Sequence, residues 1–271
     1  MARVGVLTDV HVVQDNSRRA SWHNVYDFAG VRERVGHAFE LFARERVGMV
    51  LLLGDLAHDG DLPSLRDALA PAAEGTFVVG GNHEGATPTE QLLAAGVERG
   101  RLPGWRAVRT GAGVRLAGVR VLGRAHNRWV AARRPALATW GSGPVVLASH
   151  FPVLSRAERV RAHALPYAGD LVNRARVAAP LTARAAPTIV LCGHLHVRDS
   201  HAERSLLQLA CGALVEPPFE ATIVELRESG AALEVVRSAH ELGRAEERRD
   251  PRLAPAQESF GFSPGRGWRR A

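Results

Sequence analysis

The chain has 271 residues, and 46% of them are hydrophobic, which is enough for one substantial domain with a core of its own. All 35 basic residues are arginines scattered among abundant alanine and glycine, and the resulting net charge of +7 favours anionic ligands in general. No apolar run reaches the ~18 residues of a membrane helix and no basic-then-apolar leader precedes the first strand, so membrane proteins are excluded and a soluble cytoplasmic protein is expected.

The first half of the chain alternates short apolar strands with helices. We predict strands at Val4–Leu7, Met49–Leu53 and Phe77–Val79, and helices at Val31–Arg46 and Leu62–Ala70. Such alternation indicates βαβ units and a sheet that is covered on both faces. In sheets of this kind the working residues collect at the carboxyl ends of the strands.

The second half is richer in strands. Short hairpin strands are predicted within about 105–123, and a helix at Asp170–Arg184. Further strands are predicted at Val145–Ala148, Thr188–Leu191, Leu206–Cys211, Thr222–Leu226 and Ala232–Val236. The fold class expected for residues 1–240 is therefore α/β, a four-layer α-β-β-α sandwich of two mixed β-sheets flanked by helices.

Two further features follow from composition. Residues 241–271 are rich in Arg, Glu, Pro and Gly, and we predict a tail that is mobile at least as far as Phe260. Cys192 and Cys211 lie in apolar, strand-like runs, where buried free thiols are expected rather than a disulfide.

Five short polar clusters follow predicted strands. They are Asp9-Val10-His11, Gly54-Asp55, Gly81-Asn82-His83-Glu84, Ser149-His150 and Gly193-His194-Leu195-His196. Oxygen and imidazole donors without a thiolate suit a pair of Mn, Fe, Zn or Co ions rather than a structural zinc site. Two such ions close together form the usual machinery for attack on phosphorus. Each residue alone is also explained as a turn residue or a core histidine, so the prediction depends on the whole set.

This order of clusters resembles the calcineurin-like metallophosphoesterase superfamily over roughly residues 4–200, including bacterial cyclic-nucleotide phosphodiesterases. The resemblance implies two divalent or trivalent ions, of Mn, Fe or Zn, and a hydroxide between them that attacks phosphorus in line. It implies that one ion is held by Asp9, His11, Asp55 and His196, and the other by Asp55, Asn82, His150 and His194. Asp55 would bridge the two ions, because a carboxylate offers an oxygen to each.

His83 is the catalytic residue that the resemblance implies beside Asp55. An imidazole with a pKa near ~6.5 suits protonation of the leaving oxygen, although a histidine that only holds the loop is the alternative. The family often pairs this histidine with the second Asp of Gly-Asp-x-x-Asp-x-Gly. Here His58 stands in that place with Asp59 next to it. Either Asp59 supports His83, or His83 acts without a carboxylate.

Side chains suited to a planar group beside a phosphate occur in two segments near the predicted site. One is the long connection Val12–Ala29, and the other follows a later predicted strand. The candidate substrate contacts are Arg18, Arg19, Trp22, His126 and Asn127. An aromatic ring with neighbouring arginines fits a base and its phosphate, and a solvated loop is the alternative.

The sequence therefore predicts a metal-dependent phosphoric ester hydrolase. A compact chain without a further domain favours a small, nucleotide-like phosphate monoester or diester as the substrate. A nuclease that acts on DNA or RNA is the first alternative, supported by the net charge of +7. A sandwich that has lost its chemistry and binds a protein partner is the second, and it is opposed by the presence of every expected ligand.

Overall fold

Two β-sheets packed face to face form the centre of the computed structural model. The residues that it describes are 1–58, 69, 75–83, 100–101, 108–110, 114–119, 121–125, 128–131, 137–230, 232–244 and 246–271. The first eight strands are β1 (Ala2–Leu7), β2 (Met49–Leu53), β3 (Thr76–Val79), β4 (Gly100–Arg101), β5 (Val108–Arg109), β6 (Arg115–Gly118), β7 (Val121–Ala125) and β8 (Arg128–Ala131). The others are β9 (Val145–Ser149), β10 (Thr188–Cys192), β11 (Asp199–Glu203), β12 (Leu206–Ala210), β13 (Glu220–Ser229), β14 (Ala232–Glu241), β15 (Gln257–Ser263) and β16 (Gly267–Arg270).

Both large sheets are mixed. Within the described ranges, the first has the order β16-β15-β14-β13-β1-β2-β3-β4, and β1 to β4 are parallel to one another. The second has the order β11-β12-β10-β9-β6-β5, and β6, β9, β10 and β12 are parallel. The strands β7 and β8 pair separately. The carboxyl ends of β1, β2 and β3 therefore lie together at one end of the first sheet, and those of β9 and β10 lie together at one end of the second.

The helices α1 (Val31–Arg44) and α3 (Arg174–Thr182) cover the outer faces of the two sheets. The short helix α2 (Ala157–Ala162) packs through Val160 against Leu195, Val197 and Leu253. One core, with Val6, Leu51, Val146 and Leu191, lies between the sheets. A second core packs α1 against the first sheet, and a third packs α3 against the second. This confirms the predicted four-layer sandwich, and each fully buried aliphatic side chain contributes about 1.5–3 kcal/mol to it.

The helices differ from their predicted bounds in explicable ways. The helix α1 ends at Arg44, because Arg46 adopts a left-handed φ of 53° and the Val47 N–H bonds back to the Phe42 carbonyl. The helix α3 begins four residues later than expected. The helix predicted at Leu62–Ala70 lies outside the described residues, apart from Leu69. No helix among the described residues is long and apolar enough to cross a membrane.

The prediction of a mobile tail after Glu241 is wrong, because this segment forms two strands of the first sheet. Here β15 pairs with β14, and β16 pairs with β15, so that the first sheet continues to Arg270. The side chains of Phe260, Phe262 and Trp268 are buried in the core between the sheets. Apolar residues at every second position supply one buried face of the added strands, which the polar composition of the segment conceals.

The two cysteines are free and buried, as predicted. Cys192 packs in the core under α3, whereas Cys211 packs in the core between the sheets. They therefore point to opposite faces of the second sheet, and a disulfide between them would need backbone movement.

Candidate metal centre

The five polar clusters converge at one end of the sandwich. Asp9 and His11 follow β1, Asp55 follows β2, and Asn82 and His83 follow β3. The clusters of the second sheet follow β9 and β10 and carry His150, His194 and His196. Because the sheets face each other, the two sets meet: the Asp55 Oδ2 atom lies 3.3 Å from His150 Nε2, and Asp9 Oδ1 lies 3.2 Å from His196 Nε2.

The backbone is strained where these side chains leave it. Left-handed φ values of +49° to +68° occur at Asp9, His11, Asp55, His194 and His196. A non-glycine residue in this region costs about 1–3 kcal/mol and persists only where the surroundings fix it. Here the Asp9 N–H donates to the Gly54 carbonyl at 3.1 Å and the His11 N–H to the Asp55 carbonyl at 2.9 Å. Five strained residues at one place indicate a functional site rather than a packing accident.

Two glycines of the clusters allow this close approach. A Cβ atom on Gly81 would lie 2.2 Å from Asp55 Oδ1, and one on Gly193 would lie 1.8 Å from Thr8 Oγ1. Neither position accepts a side chain without movement of the polar groups beside it. The glycines of Gly81-Asn82 and Gly193-His194 are therefore part of the site.

One group of possible ligands consists of Asp9, His11 and His196. Asp9 Oδ2 accepts hydrogen bonds from Thr8 Oγ1 at 2.7 Å and the His194 N–H at 3.0 Å. Asp9 Oδ1 and His11 Nε2 are buried and make no hydrogen bond. Two buried polar atoms without partners, in one group of donors, are the pattern that a bound cation satisfies.

The electrostatics of this group also demand a positive charge. Burial raises the pKa of Asp9, but His196 and His150 outweigh it, and the pKa falls from 3.8 to about 2. Burial lowers the pKa of His196, but Asp9 and the carboxylate of Glu216 raise it from 6.5 to about 10. The Asp9 carboxylate is thus ionised, and a proton on His196 or a cation is needed to balance it.

The second group consists of Asp55, His150 and His194, with Asn82 beside it. The Nδ1 of His150 lies 2.8 Å from the Leu53 carbonyl, to which only an N–H can bond. In the neutral ring, Nε2 then carries a lone pair, yet it lies 3.0 Å from Asn82 Oδ1 and 3.3 Å from Asp55 Oδ2. Three electron-rich atoms this close are stable only around a proton or a metal ion.

The remaining histidines of the groups are held neutral, which is the form that binds metals. Burial lowers the pKa of His194 to about 3, with a further contribution from His150. Burial likewise holds the pKa of His11 well below its usual range.

Asp55 joins the two groups. Its Oδ2 lies 3.3 Å from His150 Nε2 in one group and 3.9 Å from His11 Nε2 in the other. Its Oδ1 accepts the His83 N–H at 2.9 Å. Burial raises the pKa of Asp55, but His150, His11 and His83 hold it well below its usual range. The residues present therefore fit two metal ions with Asp55 between them.

His83 lies at the mouth of the site. Its side chain is 29% exposed, and its Nε2 is 4.0 Å from Asp55 Oδ2. The ring stacks on His58 with the centroids 5.0 Å apart. His58 Nδ1 in turn lies 3.1 Å from His11 Nδ1. His58 thus occupies the place beside His83 that the family pattern gives to a carboxylate, and Asp59 lies outside the described residues.

Two site residues were missed by the sequence reasoning. The buried Glu216 accepts a hydrogen bond from His196 Nδ1 at 2.7 Å, which directs Nε2 of that ring toward Asp9. Tyr26 packs on His11 at 5.3 Å between ring centres and on His196 at 5.8 Å. A lone acid in the apolar run before Pro217-Pro218 was the available signal for Glu216, whereas Tyr26 had no signal beyond its place in a long connection.

Two cavities open at the site. The small cavity, of about 130 Å³, is lined by Trp22, Tyr26, His83 and Ala168 and, from the two metal groups, by His11, Asp55, Asn82, His194 and His196. The large cavity, of about 660 Å³, shares Trp22, Asn82, Ala168 and His194 with it. Of the predicted substrate contacts, Trp22 lines both cavities, whereas Arg18 and Arg19 are exposed and line neither. His126, Asn127 and Glu84 lie outside the described residues.

The chain matches one family model and is similar in fold to a solved phosphatase structure. The family model described as calcineurin-like phosphoesterase matches residues 2–198. A dimetal phosphatase from Danio rerio is similar in structure, with 14% identity, coverage of 89% of this chain and 96% of that one, and a TM-score of 0.63. The phosphoesterase Yfce from E. coli has 11% identity, covers 89% of this chain and 100% of its own, and gives a TM-score of 0.41. No curated protein matches the chain in sequence.

Proposed function

The chain belongs to the calcineurin-like phosphoesterase family, and we propose that it hydrolyses a small, nucleotide-like phosphate ester at the two groups joined by Asp55. As a member of this family it is a metal-dependent phosphoric ester hydrolase. The observation that carries the proposal is the position of Asp55, whose Oδ2 faces a histidine of each group.

The ligands proposed for one ion are Asp9, His11, Asp55 and His196, and for the other Asp55, Asn82, His150 and His194. Support comes from the unpartnered atoms of Asp9 and His11 and from the lone pair of His150 that faces two oxygens. Bound ions of Mn, Fe or Zn would supply the charge that lowers the pKa of water and neutralises the phosphoryl oxygens. The mixture of oxygen and imidazole donors suits these metals better than it suits Mg or Ca.

The protein's own side chains have distinct roles in this proposal. Asp55 links the two groups of metal ligands, and Glu216 fixes the orientation of the His196 ring. His83 protonates the oxygen of the departing alcohol, which its exposure at the mouth of the site allows. Burial and nearby carboxylates raise the pKa of Tyr26, so its hydroxyl keeps its proton and can donate to a phosphoryl oxygen.

The size of the cavities supports a small substrate. The small cavity suits a phosphate, and the large cavity beside it suits the organic part of a nucleotide. A nuclease is the second candidate and is supported by the net charge of +7 alone. A scaffold without chemistry is opposed by the complete set of ligand residues.

A turnover panel tests the proposal. Mn²⁺, Fe²⁺ and Zn²⁺ are each combined with p-nitrophenyl phosphate, bis-p-nitrophenyl phosphate, cyclic AMP, nucleoside monophosphates and single-stranded DNA. We expect metal-dependent turnover of at least one small ester and its loss in Asp55→Asn, with metal content measured in parallel. Full metal-dependent activity of Asp55→Asn would show that the site is wrong. Turnover confined to DNA, with binding that weakens steeply as salt is added, would favour the nuclease.

A further inference from the structure

We propose that the large cavity is a subsite that binds an aromatic ring of the substrate together with a second anionic group, which Arg161 receives. This inference rests on the proposed function and narrows its substrate class to phosphate esters whose organic part carries both features. A nucleotide with two phosphates is the simplest example.

The position of the cavity sets which part of a substrate reaches it. Asn82 and His194, from the second metal group, line both cavities. A phosphate placed between the two groups would therefore leave its organic substituent directed into the large cavity. At about 660 Å³ the large cavity is within the range of sites that hold drug-sized ligands.

Aromatic side chains form much of the wall. Trp22 contributes from the long connection after β1, and Phe151 and Tyr167 from the segments on either side of α2. Phe151 is buried and fixed by His194, whose ring centre is 4.4 Å away. The Tyr167 hydroxyl donates to Asp170, which also accepts a hydrogen bond from Ser155 Oγ at 2.7 Å. Phe151 thus supports the wall from within, and the Tyr167 ring, held in place this way, can stack on a planar group with little loss of conformational freedom.

Arg161 supplies the positive charge. Its guanidinium carbon lies 5.3 Å from the Tyr167 ring centre, and its side chain lines the large cavity. Arg156 and Arg159, at the start of the same helix, are both bound to Asp199, at 2.6 and 3.1 Å. In the part of the chain that the structure describes, Arg161 has no such carboxylate partner. It is therefore the guanidinium of this helix that is available to an anion.

The carboxylate of Asp170, which is the one that the described residues contribute to the cavity wall, does not oppose an anion. Asp170 accepts hydrogen bonds from Tyr167 and Ser155, and its Oδ2 lies 3.4 Å from Arg174 Nε. Its charge is thus matched within the protein. Among the described residues of this wall, Arg161 and Asp170 are charged. Because Arg174, outside the wall, matches the charge of Asp170, the charge left for a ligand is that of Arg161.

Binding measurements test the subsite without turnover. Isothermal titration calorimetry of the Mn²⁺-loaded full chain compares inorganic phosphate with hydrolysis-resistant phosphonate analogues of AMP and ADP. We expect the AMP analogue to bind about ten-fold more tightly than phosphate, because of the ring. We expect the ADP analogue to bind about ten-fold more tightly again, because of the charge-assisted bonds to Arg161.

Two variants and a matched control show which side chains cause these preferences. Arg161→Gln should bring the ratio of ADP to AMP affinity close to one, and Tyr167→Leu should reduce the ratio of AMP to phosphate affinity. Arg176→Gln removes an exposed arginine of α3 that lines neither cavity, and both ratios should stay unchanged. Thermal melts verify that each variant is folded.

An ADP preference that survives Arg161→Gln, or that is absent from the parent protein, would overturn the subsite. An equal loss of the ADP preference in Arg176→Gln would also overturn it, because the second anion would then be attracted by diffuse positive charge rather than by Arg161. After either of these binding results, hydrolysis of bis-p-nitrophenyl phosphate by the parent protein and its loss in Asp55→Asn would show that the proposed function stands although this inference has failed. If Asp55→Asn remains fully active, the proposed function itself fails.

Discussion

Two buried polar regions of this protein differ in how the charges of their carboxylates are neutralised. Around β11, β14 and β15, the buried carboxylates of Glu220 and Glu258 are paired with the buried guanidinium groups of Arg198 and Arg237. At the strand ends, the ion-pair partners that the structure describes for Asp9 and Asp55 are all histidines. The first region neutralises its own charge, whereas the second depends on protons or added cations.

This difference separates stability from function. A buried pair that loses one partner leaves an uncompensated charge and destabilises the fold. Asp9 and Asp55 are paired with histidines instead, so we expect their removal to cost less stability than the loss of an arginine's partner, and to harm the chemistry.

Asp55→Asn should lower kcat/KM by about 10³-fold, because it removes the carboxylate that joins the two groups. The free energy of unfolding of the metal-depleted protein should fall only modestly, because the histidines that hold the pKa of Asp55 low lose a carboxylate partner but no guanidinium group is left unpaired. Kinetics, metal analysis and urea melts in the presence of a chelator measure the three quantities. A variant that is destabilised under chelation by as much as Glu258→Gln would contradict the contrast between the regions.

Glu258→Gln should have the opposite profile. It leaves the fully buried Arg237 without its carboxylate, and we expect a loss of about 3 kcal/mol in the free energy of unfolding. Activity per folded molecule should not change, because Glu258 lines neither cavity of the site. Urea melts and active-site titration check the two parts. Loss of activity without loss of stability would break the comparison.

The sequence predicts the fold well where strands are entirely apolar. The runs at Val4–Leu7 and Met49–Leu53 have no alternative to burial, and β1 and β2 indeed lie in the middle of the first sheet. The strands β15 and β16 were missed because each has one buried face and many charged neighbours. Their pairing with β14 depends on contacts that local composition does not reveal.

The site shows a similar division. The clusters after β1, β2, β3, β9 and β10 could be located from the sequence, because parallel strands bring their carboxyl ends together. The supporting residues could not. Spacing does not distinguish Arg161 from Arg156 and Arg159, since Asp199, distant in sequence, binds only the latter two. Arg18 and Arg19 were expected at the substrate for their charge, but tertiary structure leaves them in solvent.

Glu220 offers a test of how complete the neutralisation by arginine is. Burial raises its pKa from 4.5 to about 7, although Arg198 and Arg237 lower it, and its Oε1 makes no hydrogen bond. Between pH 4.5 and 7 the folded state binds more protons than the unfolded state, so this group's contribution to stability is lost as pH rises. The change is about 3 kcal/mol.

Glu220→Gln should remove this pH dependence. The difference in free energy of unfolding between the variant and the parent should grow in favour of the variant from pH 5 to pH 8. Urea melts at several pH values measure it, and subtracting one protein from the other cancels the titration of other groups. A difference that is constant with pH would mean that Arg198 holds Glu220 ionised throughout.

Glu216→Gln sharpens the comparison at the border of the two regions. Glu216 is buried like Glu220, yet its side-chain partner is the His196 ring rather than a guanidinium group. Gln can still accept the His196 Nδ1–H, so the ring should keep its orientation while losing the basicity that a carboxylate confers. We expect metal affinity and kcat/KM to fall by about 10-fold, and by up to about 100-fold in Glu216→Ala, where the acceptor is lost as well. Metal titration followed by calorimetry measures the metal affinity, and steady-state kinetics measure kcat/KM.

Because Glu216 also accepts the backbone N–H of Asn24 at 2.7 Å, a loss of stability without a change in metal affinity would instead make it a residue that only anchors the long connection after β1.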